Sequence, residues 1–169
     1  MKKHLFTLSL ITFISIVTYS QQAVKVGPLG FILGNYNLRY EKGISEKGSV
    51  QVGANFYNYK LFSLKTTGFG VDAGYRYYFK EAIKGGYVAP ALGFQTNTTS
   101  VSSTDNTSGS FSLLGLGATA GYQWITSGNF VVDFGLGYGY NAQLSKSEVL
   151  TRAFGGGGIR FTFALGYAF

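Results

Sequence analysis

The sequence predicts an all-β chain folded as an eight-stranded antiparallel up-and-down transmembrane β-barrel, and three observations carry that expectation. Apolar residues alternate with small or polar ones over long stretches, the period-two pattern of a strand whose faces meet different surroundings. The non-apolar face is made mostly of Gly, Ser, Thr, Asn and Gln, with sparse charges of both signs. Of 169 residues, 12% are charged, against about a quarter in a soluble domain, while 17% are aromatic and 25 are Gly.

In chain order the first element is an address. Lys2, Lys3 and His4 form a basic start, Leu5 to Val17 an apolar run, and Thr18-Tyr19-Ser20 a small-residue approach to a cleavage point. Residues 1–20 therefore read as a secretory signal peptide, and 21–169 as one barrel domain. The apolar run is short of the ~20 residues a spanning helix needs, which disfavours an uncleaved anchor. Removing Lys2 and Lys3 from 14 basic residues leaves 12 against 7 acidic, a net charge of +5. Those charges are scattered, so no nucleic-acid footprint is expected. The chain has no Cys, which excludes a disulfide framework and thiol chemistry.

The first strand is placed at about Ala23 to Leu33, with Gly27 and Pro28 disturbing its alternation, and a tight turn at Gly34-Asn35. The second follows with Tyr36, Leu38 and Tyr40 outward and Asn37, Arg39 and Glu41 inward. Val50, Val52, Ala54 and Phe56 mark the third, and the run Gly68 to Phe79 the fourth, its charges Asp72 and Arg76 both on one face. Val88 to Phe94 alternates more weakly around Pro90. Phe111 to Trp124, Phe130 to Asn141 and Ile159 to Phe169 complete the set. Turn signals at Ile44–Gly48, Lys80–Gly86 and Ile125–Asn129 are short; those at Lys60–Thr66, Asn97–Gly109 and Asn141–Gly156 are longer.

A soluble sandwich or barrel would point the apolar faces inward and dress the other in charge. Small uncharged residues suit the cramped interior of a narrow barrel instead. The rings also bunch at strand ends. Tyr75, Tyr77, Phe79, Tyr122, Trp124, Tyr167 and Phe169 gather at one end, and Phe94, Phe111, Tyr138, Tyr140 and Phe161 near the other, with Val, Ala and Leu between. Aromatic girdles flanking an aliphatic band are what two membrane interfaces select.

A Lys-rich signal, alternating strands and the terminal strand Ile159 to Phe169 resemble the small bacterial outer-membrane β-barrel proteins of the OmpA-membrane-domain and OmpX kind. The segments Asn37 to Lys42 and Tyr75 to Phe79 resemble uncharacterised barrel families of similar size. The resemblance implies residence in the outer membrane, lipid as surroundings, and Phe169 as an assembly signal read by the barrel-insertion machinery. With short turns periplasmic and longer loops outside, the last strand descends, and an even strand number closes every edge.

The lone His is His4, inside the expected signal, so residues 21–169 hold neither His nor Cys. That removes the usual general base, the usual nucleophile partner and the commonest metal ligand, and no cofactor is expected. An enzyme is therefore disfavoured. Arg39, Glu41, Asp72, Arg76, Asp133 and Arg160 all point inward and are expected as a salt-bridged lumen cluster, because buried charges survive by pairing. A polar ligand or ion path is the alternative. The Gly68–Tyr75 and Gly115–Tyr122 repeats look like phosphate-binding loops, but such loops join a strand to a helix, whereas these glycines alternate inside strands. They permit tight curvature and a slim interior, or else open a small cavity. The loop Asn97–Gly109 reads as a solvated tip; Asn141–Gly156 carries Leu144, Val149, Leu150 and Phe154, an apolar cluster suited to headgroups or a partner. The expected function is thus a non-enzymatic structural or surface-interaction barrel with a plugged polar lumen. A narrow pore or small-ligand carrier is one alternative, and a secreted lipocalin-like binder another.

Overall fold

Alternation read along the chain becomes a closed wall. The computed structural model describes residues 21–61, 64–101, 108–144 and 155–169, and among them eight antiparallel strands each pair with the next, the last returning to the first. They are β1 (Gln22–Val26), β2 (Asn35–Gly43), β3 (Gly48–Leu61), β4 (Leu64–Tyr78), β5 (Gly85–Val101), β6 (Ser108–Ile125), β7 (Phe130–Gln143) and β8 (Gly156–Ala168). Closure satisfies ladder groups that would each cost several kcal/mol if left bare in lipid. Residues 1–20, read from the sequence as an export signal, lie outside the described residues, as do Asp105, Val149, Leu150 and Phe154.

The bulky apolar side chains face out. Leu38, Val52, Phe69, Val71, Leu92, Leu116, Phe134, Leu136 and Phe161 are all exposed, Leu116 at 66%. A soluble lipocalin-like barrel would carry these side chains inside, so that alternative fails. The belt ends toward the loops. Phe56 sits opposite Phe69, and Val71 opposite Phe94. Beyond them the outward positions turn polar, with Asn58 opposite Thr67, Lys60 opposite Lys65, and Thr98 3.0 Å from Ser110. Strands β5 and β6, at 17 and 18 residues, exceed the ~9–11 needed to span and project past the belt as a polar hairpin.

Four expectations change. Residues 97–101, 108–109 and 141–143, expected in the longer connections, pair as the ends of β5, β6 and β7. The first strand does not run to Leu33: β1 stops at Val26, and Pro28–Ile32 form a single helical turn, α1, packed against β2 and β8. Proline occupies the start of that turn, where its missing N–H costs nothing and its fixed φ suits a helix. Gly34, at φ +77°, then turns the chain back into β2. The Lys60–Thr66 connection is not long, because β3 and β4 pair out to Leu61 and Leu64. Phe111 is not an outward girdle residue. It shares the inward parity of Leu113, and both are 2% exposed inside the wall.

The lumen is packed at the end where Gln22, Phe169 and the turns after β2, β4 and β6 lie. Ala23, Tyr78, Ile83, Tyr87, Ala89, Val131 and Ala168 form its apolar floor. Ile83 comes from the β4–β5 turn. Its backbone holds the left-handed φ of 57°, uncommon for a β-branched residue, and its side chain is fully buried in the barrel mouth.

Candidate functional site

Above this floor the inward charges separate into two layers. In the first, Lys25 of β1, Glu41 of β2, Arg76 of β4 and Asp133 of β7 converge, the first, second and last fully buried and Arg76 nearly so. Lys25 Nζ lies 2.5 Å from Glu41 Oε2 and 3.0 Å from Asp133 Oδ2, and donates to Gln123 Oε1 at 2.7 Å. Its three protons therefore have three acceptors. Arg76 Nη1 lies 2.8 Å from Asp133 Oδ2 and 3.7 Å from Glu41 Oε2, and the guanidinium sits 4.2 Å over the Tyr87 ring.

The other carboxylate oxygens are also engaged. Tyr78 and Ser49 donate to Glu41 Oε1, Tyr78 at 2.7 Å, and Tyr87 donates to Asp133 Oδ1 at 2.7 Å. Gln123 donates to the Ile83 carbonyl at 2.6 Å, tying the charged layer to the tucked turn beneath it. Two cations face two carboxylates, and seven of the eight strands contribute. A neutral, saturated network is the condition under which buried charge is tolerated.

Glycines make room for these crossing side chains. Gly166 of β8 pairs with Lys25, and a Cβ there would stand 2.7 Å from Lys25 Cγ. Cβ atoms at Gly121 and Gly135 would stand 2.6 and 2.8 Å from the Tyr87 hydroxyl. Inward glycine is thus the far wall of a large side chain as well as a device for curvature.

The second layer lies toward the loops and is built differently. Arg39, Asp72 and Arg160 line a polar cavity of about 180 Å³ with Asn35, Asn55, Gln95 and Asn141. Asp72 Oδ2 accepts from Asn55 Nδ2 at 2.8 Å. Among the described residues neither arginine is within ion-pair distance of Asp72 or of any other carboxylate. Of the six charges expected as one cluster, Glu41, Arg76 and Asp133 meet, and Arg39, Asp72 and Arg160 stand apart from them and unpaired. Lys25 was hidden by the disturbed first strand. Tyr78, Tyr87 and Gln123 carried the correct inward parity, with nothing in their spacing to mark them as ligands of the charged layer.

On the outer surface Tyr75, Tyr77, Phe79, Tyr122, Trp124 and Tyr167 are exposed toward the turn end, and Tyr138 and Tyr140 lie across the belt. The rings of Tyr122 and Trp124 are 4.5 Å apart, and those of Tyr77 and Phe79 6.1 Å. Phe169 closes the seam through its backbone, donating to Gln22 O at 2.8 Å and accepting from Gln22 N at 3.0 Å. No group of three or more His, Cys, Asp and Glu among the described residues is placed to hold a metal ion.

The family model described as "Protein of unknown function (DUF3575)" matches residues 5–150. The chain belongs to that family. No curated protein matches it in sequence. Among solved structures it is similar to Ail, the attachment invasion locus protein of Yersinia pestis. In a phospholipid bilayer nanodisc, Ail shares 19% identity over 89% of this chain and 99% of its own, with a TM-score of 0.51. The crystal structure of Ail with the heparin analogue sucrose octasulfate shares 18% over 90% and 100%, at 0.52. A major outer membrane protein from Thermus thermophilus shares 16% over 89% and 98%, at 0.50. The fold is that of the small bacterial outer-membrane barrels, and its exposed apolar belt suits it to lipid.

Proposed function

We propose that this DUF3575 barrel is a non-enzymatic, non-conducting protein of the outer membrane whose work is done by the parts of it that face outward, as structure or as a surface for interaction. The observation that carries this reading is the layer of Lys25, Glu41, Arg76 and Asp133 resting on the Ile83 floor, in which each of the four charges is held by an opposite one and none is free to pass an ion along. The absence of His and Cys from residues 21–169 supports the non-enzymatic part, since Glu41 and Asp133 are both committed to cations. The Yersinia pestis protein similar in fold is named the attachment invasion locus protein, which is in keeping with a role at the surface.

Planar bilayers test it. Protein verified as folded is expected to give no channel events in symmetric salt. Steady unitary conductance from the wild-type chain would reject the plug and favour the pore.

A further inference from the structure

The two charged layers of the lumen differ in balance. The layer on the turn side pairs two cations with two carboxylates at 4 Å or less. The loop-side cavity holds two guanidiniums and one carboxylate, and that carboxylate is bonded to Asn55. Arg39 Nε is buried without a hydrogen-bond partner. Arg160 lies along a wall cleared for it: a Cβ at Gly117 would stand 2.8 Å from its Nη1, and one at Gly139 2.6 Å from its Cδ. These glycines let the side chain lie in the lumen with its guanidinium toward the cavity. A buried donor left bare and an excess positive charge both cost free energy that an anion would offset.

We propose that this cavity is a binding site for one oxyanion group, a phosphate, sulfate or carboxylate, held by Arg39 and Arg160 and bounded by the side-chain amides of Asn55, Gln95 and Asn141. Guanidinium forks match the geometry of such groups in a way an ammonium does not. At about 180 Å³ the space falls below the ~300–1,000 Å³ of pockets for drug-sized molecules, and suits a single small group with a few waters. The site does not depend on whether the barrel conducts, so its test stands apart from the conductance experiment.

Two sources of that group are compatible with the geometry. One is a soluble anion arriving from the loop end. The other is an acidic lipid headgroup. β1 pairs with β8 only from Val26↔Leu165 to Ala23↔Ala168, so the upper part of that seam is covered by α1. An apolar crevice of about 350 Å³ lined by Val26, Phe31, Tyr36, Leu38 and Phe56 meets the cavity wall at Asn55.

Full-length chain folded in dodecyl maltoside is titrated calorimetrically with inorganic phosphate, at an ionic strength held constant with chloride. In a second arm it is placed in nanodiscs of phosphatidylcholine and phosphatidylglycerol and released for native mass spectrometry. One-to-one phosphate binding identifies the soluble source, and one retained phosphatidylglycerol identifies the headgroup. In whichever arm binds, Arg39→Gln/Arg160→Gln is expected to weaken it by about tenfold or more, the scale of lost charge-assisted hydrogen bonds. Lys65→Gln, exposed on the outer wall, is expected to leave it unchanged. Asp72→Asn is expected to strengthen it several-fold, a change of sign that misfolding does not produce. Absence of one-to-one binding in both arms, or equal binding by the double arginine variant, or no gain in Asp72→Asn, would overturn the site.

Discussion

Gly166 stands opposite Lys25 in the β1–β8 pairing, and a Cβ on it would meet the Val24 carbonyl oxygen and, at 2.7 Å, Lys25 Cγ, so the bare glycine makes room for both the neighbouring strand and the lysine. Gly166→Val is therefore expected to destabilise the barrel by ~1–3 kcal/mol, the usual cost of overpacking. Gly158→Val, on the same strand with nothing within 4 Å of its would-be Cβ, is expected to stay within ~0.5 kcal/mol of wild type. Urea unfolding of the two variants in phosphatidylcholine vesicles makes the comparison.

Lys25→Met removes one partner from a buried set and leaves Glu41 and Asp133 facing Arg76 alone. A loss of ~3–5 kcal/mol is expected, because uncompensated buried charge is costlier than the pair was stabilising. The same substitution at the exposed turn residue Lys80 is expected to change stability by ~0.5 kcal/mol or less. Equal effects at the two lysines would mean that the charged layer contributes nothing to folding.

Phe169 offers two separable roles. Its backbone makes two hydrogen bonds with Gln22, while its ring is exposed on the outer surface. Deleting Phe169 removes both and is expected to slow or abolish assembly. Phe169→Ala keeps the backbone bonds, so normal assembly of that variant would assign the role to seam closure, and failure would assign it to the ring. Heat-modifiable migration on gels, followed over time after addition of membranes, reads both.

Leu136→Arg, on the outer face of β7 between Phe134 and Tyr138, places a charge near the middle of the lipid-facing belt and is expected to cost ~2–4 kcal/mol. Ser127→Arg, exposed in the β6–β7 turn, is expected to be tolerated within ~0.5 kcal/mol. Unfolding in vesicles distinguishes the two.

Strand number, order and facing were legible because period two is a strong signal wherever small residues alternate with bulky ones, as from Gly68 to Tyr78. It failed where both faces carry similar residues. Pro28-Leu29-Gly30-Phe31-Ile32 is apolar at nearly every position, so nothing in it separates a strand from a helical turn. The same ambiguity hid Lys25, a cation among valines whose partners lie 16 and 108 residues away. Phe111 and Leu113 show the converse limit, since aromatic or aliphatic character alone does not say which side of the wall a residue takes near the rim. The division of the lumen into a paired layer and an unpaired cavity depends on how β1, β2, β4, β7 and β8 stagger around the barrel, which no local pattern encodes.

The outward direction of the apolar face underlies every assignment made inside the wall, and spin labelling in phosphatidylcholine vesicles measures it directly. Nitroxides at Leu116 and Leu136 are expected to collide readily with oxygen dissolved in lipid and rarely with a water-soluble nickel chelate, while a label at Thr119 is shielded from the lipid-dissolved oxygen. Labels at Leu116 and Leu136 shielded from oxygen, with Thr119 open to it, would contradict the orientation and the reading of the lumen together.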